Sequence, residues 1–220
     1  MVQKEIFIQP NPDKEYLVDD KDPLMPPSGA RIIMAGRCGV GKGNACKNLI
    51  ARFNPPLERI CVYHIDPTTV EWKDCDAEML EDIPDYGFFD RSKRNCLVLD
   101  ETNFEGMSRE KRGQIDRLVM YQATHYNVII FILQQNFVSI PPAIRRAASW
   151  WVIWPSVDHQ SMRDVSTKTG HAMKELAKLC KTKYDNITFD FEGDKYPLRL
   201  NMFQPIMDEG EEDWLIILFS

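Results

Sequence analysis

Short apolar runs, each bounded by charge, proline or glycine, recur through the middle of this chain. They fall at residues 31–35 (Arg-Ile-Ile-Met-Ala), 59–65, 96–99, 128–133 and 149–154, and they are rich in β-branched and aromatic side chains. Runs this short with turn signals at both ends read as strands buried on both faces. Segments with helical spacing lie between them. One opens near Asn44 and reaches about Phe53, where Asn54-Pro55-Pro56 stops it; others cover roughly Ser108–His125 and Asp158–Cys180. Residues 68–94 are irregular, acidic and aromatic, and 187–191 with 198–203 read as a terminal hairpin. Buried strands alternating with helices predict an α/β domain. Its central sheet is mostly parallel and flanked by helices, with a C-terminal β-hairpin. The domain spans 30–205, between a proline-rich arm (1–29) and an acidic, apolar tail (206–220).

Composition narrows the picture in two ways. The net charge is −6, but the tail holds five acids and no base, so the remaining 28 acids stand against 27 bases. The body is therefore near neutral, and any nucleic-acid contact must come from local patches. The six cysteines (38, 46, 61, 75, 96, 180) form no CxxC pair and no metal spacing, which points to reduced thiols in a cytosol- or nucleus-like setting. No apolar run reaches the length of a membrane span.

The chemistry concentrates after the first run. Gly36-Arg37-Cys38-Gly39-Val40-Gly41-Lys42 is a G-x-x-x-x-G-K phosphate-binding loop between a predicted strand and a predicted helix. Its glycines let backbone N–H groups turn inward around a polyphosphate, and the helix adds the positive end of its dipole. Lys42 reaches the β- and γ-phosphates of a nucleotide such as ATP. The next residue should be Ser or Thr, whose hydroxyl holds Mg²⁺; it is Gly43, followed by Asn44. Either a water or Asn44 is left to fill that place. Further on, Asn95-Cys-Leu-Val-Leu-Asp100-Glu101 is an apolar strand ending in two acids. On its own it reads as a buried strand with a solvated end. After the upstream loop it matches the Walker B pattern, with Asp100 holding Mg²⁺ through water and Glu101 polarising the attacking water. The pair argues against a loop that only binds. The Asp-Glu strand follows the second strand rather than the first helix, which suits the additional-strand class of P-loop ATPases. It disfavours a small-molecule kinase, whose arginine-rich lid is missing.

Two further segments complete an ordered set. They are Val128-Ile-Ile-Phe-Ile-Leu-Gln134-Gln135-Asn136, and Ile140-Pro-Pro-Ala-Ile-Arg145-Arg146 leading into Ser149-Trp-Trp-Val-Ile-Trp154. With these, about Ala30–Pro205 resembles the FtsK/HerA superfamily. Within it, the chain resembles the genome-packaging ATPases of poxviruses and other large DNA viruses, virophages and Maverick/Polinton elements. The resemblance implies ATP hydrolysis with Mg²⁺, coupled to translocation of double-stranded DNA into a capsid. It implies a homo-oligomeric ring of five or six subunits, at work in the host nucleus or a cytoplasmic virus factory and in the virion. A glutamine at the end of the fourth strand would sense the γ-phosphate. Gln134 and Gln135 face opposite ways, and Gln135 is preferred. An arginine finger reaching the neighbouring subunit would be Arg145 or Arg146, with Arg163 a further candidate. The core motor is shared with helicase-type and plasmid-transfer ATPases.

Basic clusters flank the Asp-Glu strand: Arg91, Lys93 and Arg94 before it, and Arg109, Lys111, Arg112 and Arg117 after it. In a ring such residues would touch DNA phosphates without reading bases. Glu110 and Asp116 leave a solvated mixed-charge helix face equally open. Trp150, Trp151 and Trp154 lie in an apolar run, and packing in the core or at a subunit interface accounts for them better than base stacking. The tail pairs an acidic patch with Trp-Leu-Ile-Ile-Leu-Phe; docking on a ring neighbour or on a capsid or vertex protein, and folding onto its own domain as an edge strand or helix, are equally open.

Overall fold

A computed structural model describes residues 22–206 of the chain, apart from 67, 194 and 195. The tail and most of the arm therefore lie outside the described residues. The end of the arm does not extend away from the domain. Leu24 accepts a hydrogen bond from Arg199, and Met25 packs against the core.

The chain runs through β1 (Arg31–Ala35), α1 (Lys42–Ile50), β2 (Arg59–His64), β3 (Glu78–Leu80), β4 (Asn95–Asp100) and α2 (Arg109–Arg117). After α2 come a π-helical turn (Leu118–Gln122), α3 (Ala123–His125), β5 (Val128–Gln134), α4 (Pro142–Ala147) and β6 (Trp150–Ile153). The chain closes with α5 (His159–Thr169), α6 (Met173–Leu176), β7 (Ile187–Asp190), β8 (Leu198–Leu200) and β9 (Gln204–Pro205). The nine strands form one sheet in the order β3-β2-β4-β5-β1-β6-β7-β8-β9. The pairings from β3 through β6 are parallel, and β7, β8 and β9 add on antiparallel. This is the α/β fold of a P-loop NTPase with a C-terminal hairpin.

Alternation along the strands builds a core on each face. Ile33, Leu97, Leu99, Ile130 and Ile132 point to one side, and Ile32, Met34, Val98, Ile129 and Phe131 to the other. The tryptophans belong to these cores: Trp150, Trp151 and Trp154 are all buried. Where the fold departs from the expected elements, the cause is local. The irregular segment contains β3, too short to show a period, held on the edge by its parallel ladder with β2 and by an Arg59–Glu78 ion pair. The expected helix to Cys180 ends at Thr169, where Gly170 takes the left-handed conformation (φ 76°) that terminates helices. The helix opening at Ser108 is capped by that serine, whose hydroxyl accepts from Lys111 N, and it loosens into the π-turn before α3.

Candidate nucleotide site

The ends of β1, β4 and β5 lie side by side and carry the candidate residues to one edge of the sheet. Gly36 N donates to Gln134 O at 3.1 Å, tying the phosphate loop to the end of β5. Two positive-φ glycines, Gly39 (76°) and Gly41 (93°), turn the loop back onto α1. Arg37, Cys38 and Gly39 are exposed, while Val40 folds inward as a plug. Gly41 caps α1 without a side chain, and no acid occupies the first turn. The amino end of α1 is thus open toward an anion, with Gly43 and Asn44 in its first turn. Lys42 is buried; its Nζ donates to Gly36 O at 2.8 Å and to Arg37 O at 3.3 Å, and stands 3.5 Å from Glu101 Oε1.

Glu101 follows β4 in the left-handed region at φ 51°, an uncommon conformation for a residue with a side chain. Its backbone N–H donates to Leu133 O at 3.0 Å, locking the turn against β5. The other carboxylate oxygen, Oε2, accepts from Gln135 Nε2 at 3.1 Å. Lys42, Glu101 and Gln135 therefore form one connected row at the mouth of the loop. Gln134 points the opposite way, is buried, and donates to Thr102 O at 2.9 Å. The strand alternation that favours Gln135 is visible here.

Asp100 sits beneath this row, buried, and Trp72 Nε1 donates to its Oδ2 at 2.9 Å. Burial raises its pKa above the usual carboxylate range; the indole N–H works against that, and the charges of Glu101 and Glu71 add to it. Trp72 and Glu71 come from the segment read as irregular. A lone tryptophan among Glu71, Lys73 and Asp74 was the available signal of an anchor. Tyr184 was also missed. It is exposed, its backbone carbonyl accepts from Trp154 Nε1 at 2.9 Å, and its ring comes within 3.5 Å of where a Gly41 Cβ would sit.

The fold brings members of both basic clusters to Tyr86: Arg91 lies over the Tyr126 ring, which packs edge-on against Tyr86, and Tyr86 lines one pocket with Arg109 and Arg117. Arg94 is corrected as a DNA contact: only 5% exposed, it packs over Phe53 and cannot meet a phosphate from there. Arg91 donates to the Tyr126 hydroxyl, Lys111 pairs with Asp82, and Arg112 donates to Phe104 O. Lys93, Arg109 and Arg117 are exposed. On α4, Arg145 is held by Asp164 of α5, whereas Arg146 is exposed, as is Arg163.

Comparison with solved structures places this arrangement. The DNA-packaging ATPase B204 of Sulfolobus turreted icosahedral virus superposes with a TM-score of 0.57 at 12% identity, over 82% of this chain and 99% of B204. The chain has the B204 fold. B204 from Sulfolobus turreted icosahedral virus 2, solved with AMPPCP, gives a TM-score of 0.56 at 14% identity, over 81% of this chain and 99% of that one. The same B204 solved with ATP-γ-S gives 0.55 at 13% identity, over 85% and 100%. No family model and no curated protein sequence matches the chain.

Mg²⁺ fits the residues present. It takes hard oxygen donors and is commonly held by one or two carboxylates, substrate phosphates and waters. Asp100 and Glu71 are carboxylates near the start of α1, and no thiol or imidazole cluster competes among the described residues. All six cysteines are free thiols, and no described helix is long and apolar enough to cross a membrane.

Proposed function

We propose that this chain is an ATP-hydrolysing motor that drives double-stranded DNA into a viral capsid. The observation that carries the reading is the row Lys42–Glu101–Gln135 over the open amino end of α1. The polyphosphate rests on the loop's backbone N–H groups, and Lys42 leaves the Gly36 and Arg37 carbonyls to meet it. Glu101 accepts a proton from the attacking water, and Gln135 fixes the carboxylate that does so. Mg²⁺ held near Asp100 would neutralise phosphate charge. Subunits act as a ring, and exposed Arg146 is better placed than Arg145 to reach a neighbour's γ-phosphate. DNA is gripped through its backbone by exposed bases such as Arg109 and Arg117, and the acidic, apolar tail docks on a neighbour or a capsid protein. The ring works in the infected cell during virion assembly. The B204 fold, shared with proteins that carry the packaging name, supports this assignment.

Lys42→Ala should weaken ATP binding. Glu101→Gln should bind ATP and release almost no phosphate. A Glu101→Gln protein as active as wild type would overturn the mechanism. Gly43 favours one other reading, a nucleotide-sensing assembly scaffold without turnover, and tight binding with no phosphate release by the wild type would select it.

A further inference from the structure

Gly43 stands where a Ser or Thr hydroxyl would hold magnesium, and the space in front of it is not empty. A Cβ built on Gly43 would lie 3.8 Å from Glu71 Oε2. We propose that Glu71 supplies, from the loop after β2, the oxygen ligand that Gly43 withholds from the nucleotide-bound magnesium ion. The inference rests on the nucleotide site described above and identifies one of its ligands.

The segment carrying Glu71 is fastened on two sides. Lys47, one helical turn beyond Gly43 on α1, donates to Glu71 O at 2.8 Å and pairs with Asp74 at 2.9 Å. The next residue, Trp72, is buried and donates to Asp100. One short stretch therefore bridges α1 and β4, the two elements between which the ion would sit. These fastenings use the Glu71 carbonyl and its neighbours, so its carboxylate is left to a ligand. A carboxylate reaching in from a loop needs more room than a hydroxyl rooted on the helix, and glycine provides it.

The same charges make a second, checkable statement. Glu71, Asp100 and Glu101 place three carboxylates around one phosphate site, and the charges of the first and third act on the second. Lys42, His64 and Lys47 are the cationic or titratable groups facing them. Magnesium is commonly held by one or two carboxylates, with substrate phosphates and waters completing the shell. Metal and nucleotide should therefore bind together, and nucleotide without metal should bind poorly.

The experiment is equilibrium binding of a fluorescent ATP analogue across a magnesium titration and in excess chelator, with Mn²⁺ paramagnetic resonance as a direct readout of the metal. It compares wild type, Glu71→Gln, Glu71→Ala and Glu71→Ala with Gly43→Ser. Glu71→Gln should raise the half-saturating Mg²⁺ concentration about tenfold or more and leave chelator-treated binding unchanged or tighter. Gly43→Ser should recover much of the loss in the Glu71→Ala background. An unchanged magnesium requirement in Glu71→Gln would overturn the proposal. So would an equal loss with and without metal, which would mark Glu71 as structural. Wild-type protein that binds no nucleotide at any magnesium concentration would remove the nucleotide site itself, a different failure.

Discussion

Gln134 and Gln135 are chemically identical neighbours that the strand sends to opposite sides, so replacing each by alanine separates catalysis from stability. Gln134 is 6% exposed and donates to Thr102 O. Gln134→Ala removes that donor while Thr102 O keeps its bond from Phe104 N, so the loss is that of one hydrogen bond, about 0.5–1.5 kcal/mol. For a domain of this size each kcal/mol lowers Tm by about 2–4 °C, so the midpoint should fall by about 1–6 °C. Gln135 is exposed, and its 3.1 Å bond to Glu101 orients a carboxylate rather than filling the core. Gln135→Ala should change stability by no more than about 0.5 kcal/mol. Misplacing the proton acceptor by about an ångström can cost on the order of a hundredfold in rate. Thermal unfolding and single-turnover phosphate release, measured on both variants, give the crossed result: stability lost in the first, turnover in the second. A Gln135→Ala protein with unchanged turnover, or one destabilised as much as Gln134→Ala, would refute the geometry on which the catalytic row rests.

Other consequences are as direct. Cys38 is exposed on the phosphate loop, whereas Cys46 and Cys96 are buried and their thiol pKa values are pushed well up by burial. Maleimide should label Cys38 first and those two last, ATP with Mg²⁺ should protect Cys38, and peptide mapping reads the order. The Arg199–Asp190 pair is almost fully buried, so Arg199→Met should cost about 3–5 kcal/mol in urea unfolding, with part recovered by adding Asp190→Asn. Arg145→Ala breaks the bond to Asp164 and should lower Tm. Arg146→Ala should fold like wild type and lose hydrolysis only in assembled rings, as ATPase rates against protein concentration would show.

The central strands were legible because burial on both faces turns a parallel strand into an unbroken apolar run, as at Val128–Gln134. β3 was not, since three residues on a sheet edge carry no period and their pairing with β2 is set far away in sequence. The break at Gly170 had a local signal, a glycine able to cap a helix, but the polar and apolar spacing continued past it. The π-turn at Leu118–Gln122 is too short to disturb that spacing. In the site, Gly36–Lys42 and Asp100–Glu101 are contiguous motifs and could be read directly. Trp72 and Glu71 reach the same place through tertiary structure, so nothing beside Gly43 in sequence announces them. Arg94 shows the converse: a basic cluster on paper contains a guanidinium that the fold buries beside Phe53.

Steady-state ATP hydrolysis with Mg²⁺, with and without double-stranded DNA, tests the motor assignment most directly when wild type is set beside Lys42→Ala and Glu101→Gln. The account predicts wild-type turnover that DNA stimulates, and its near-complete loss in both variants. Turnover indifferent to DNA would contradict the translocase assignment, and tight nucleotide binding with no turnover would contradict Glu101 as the residue that activates water.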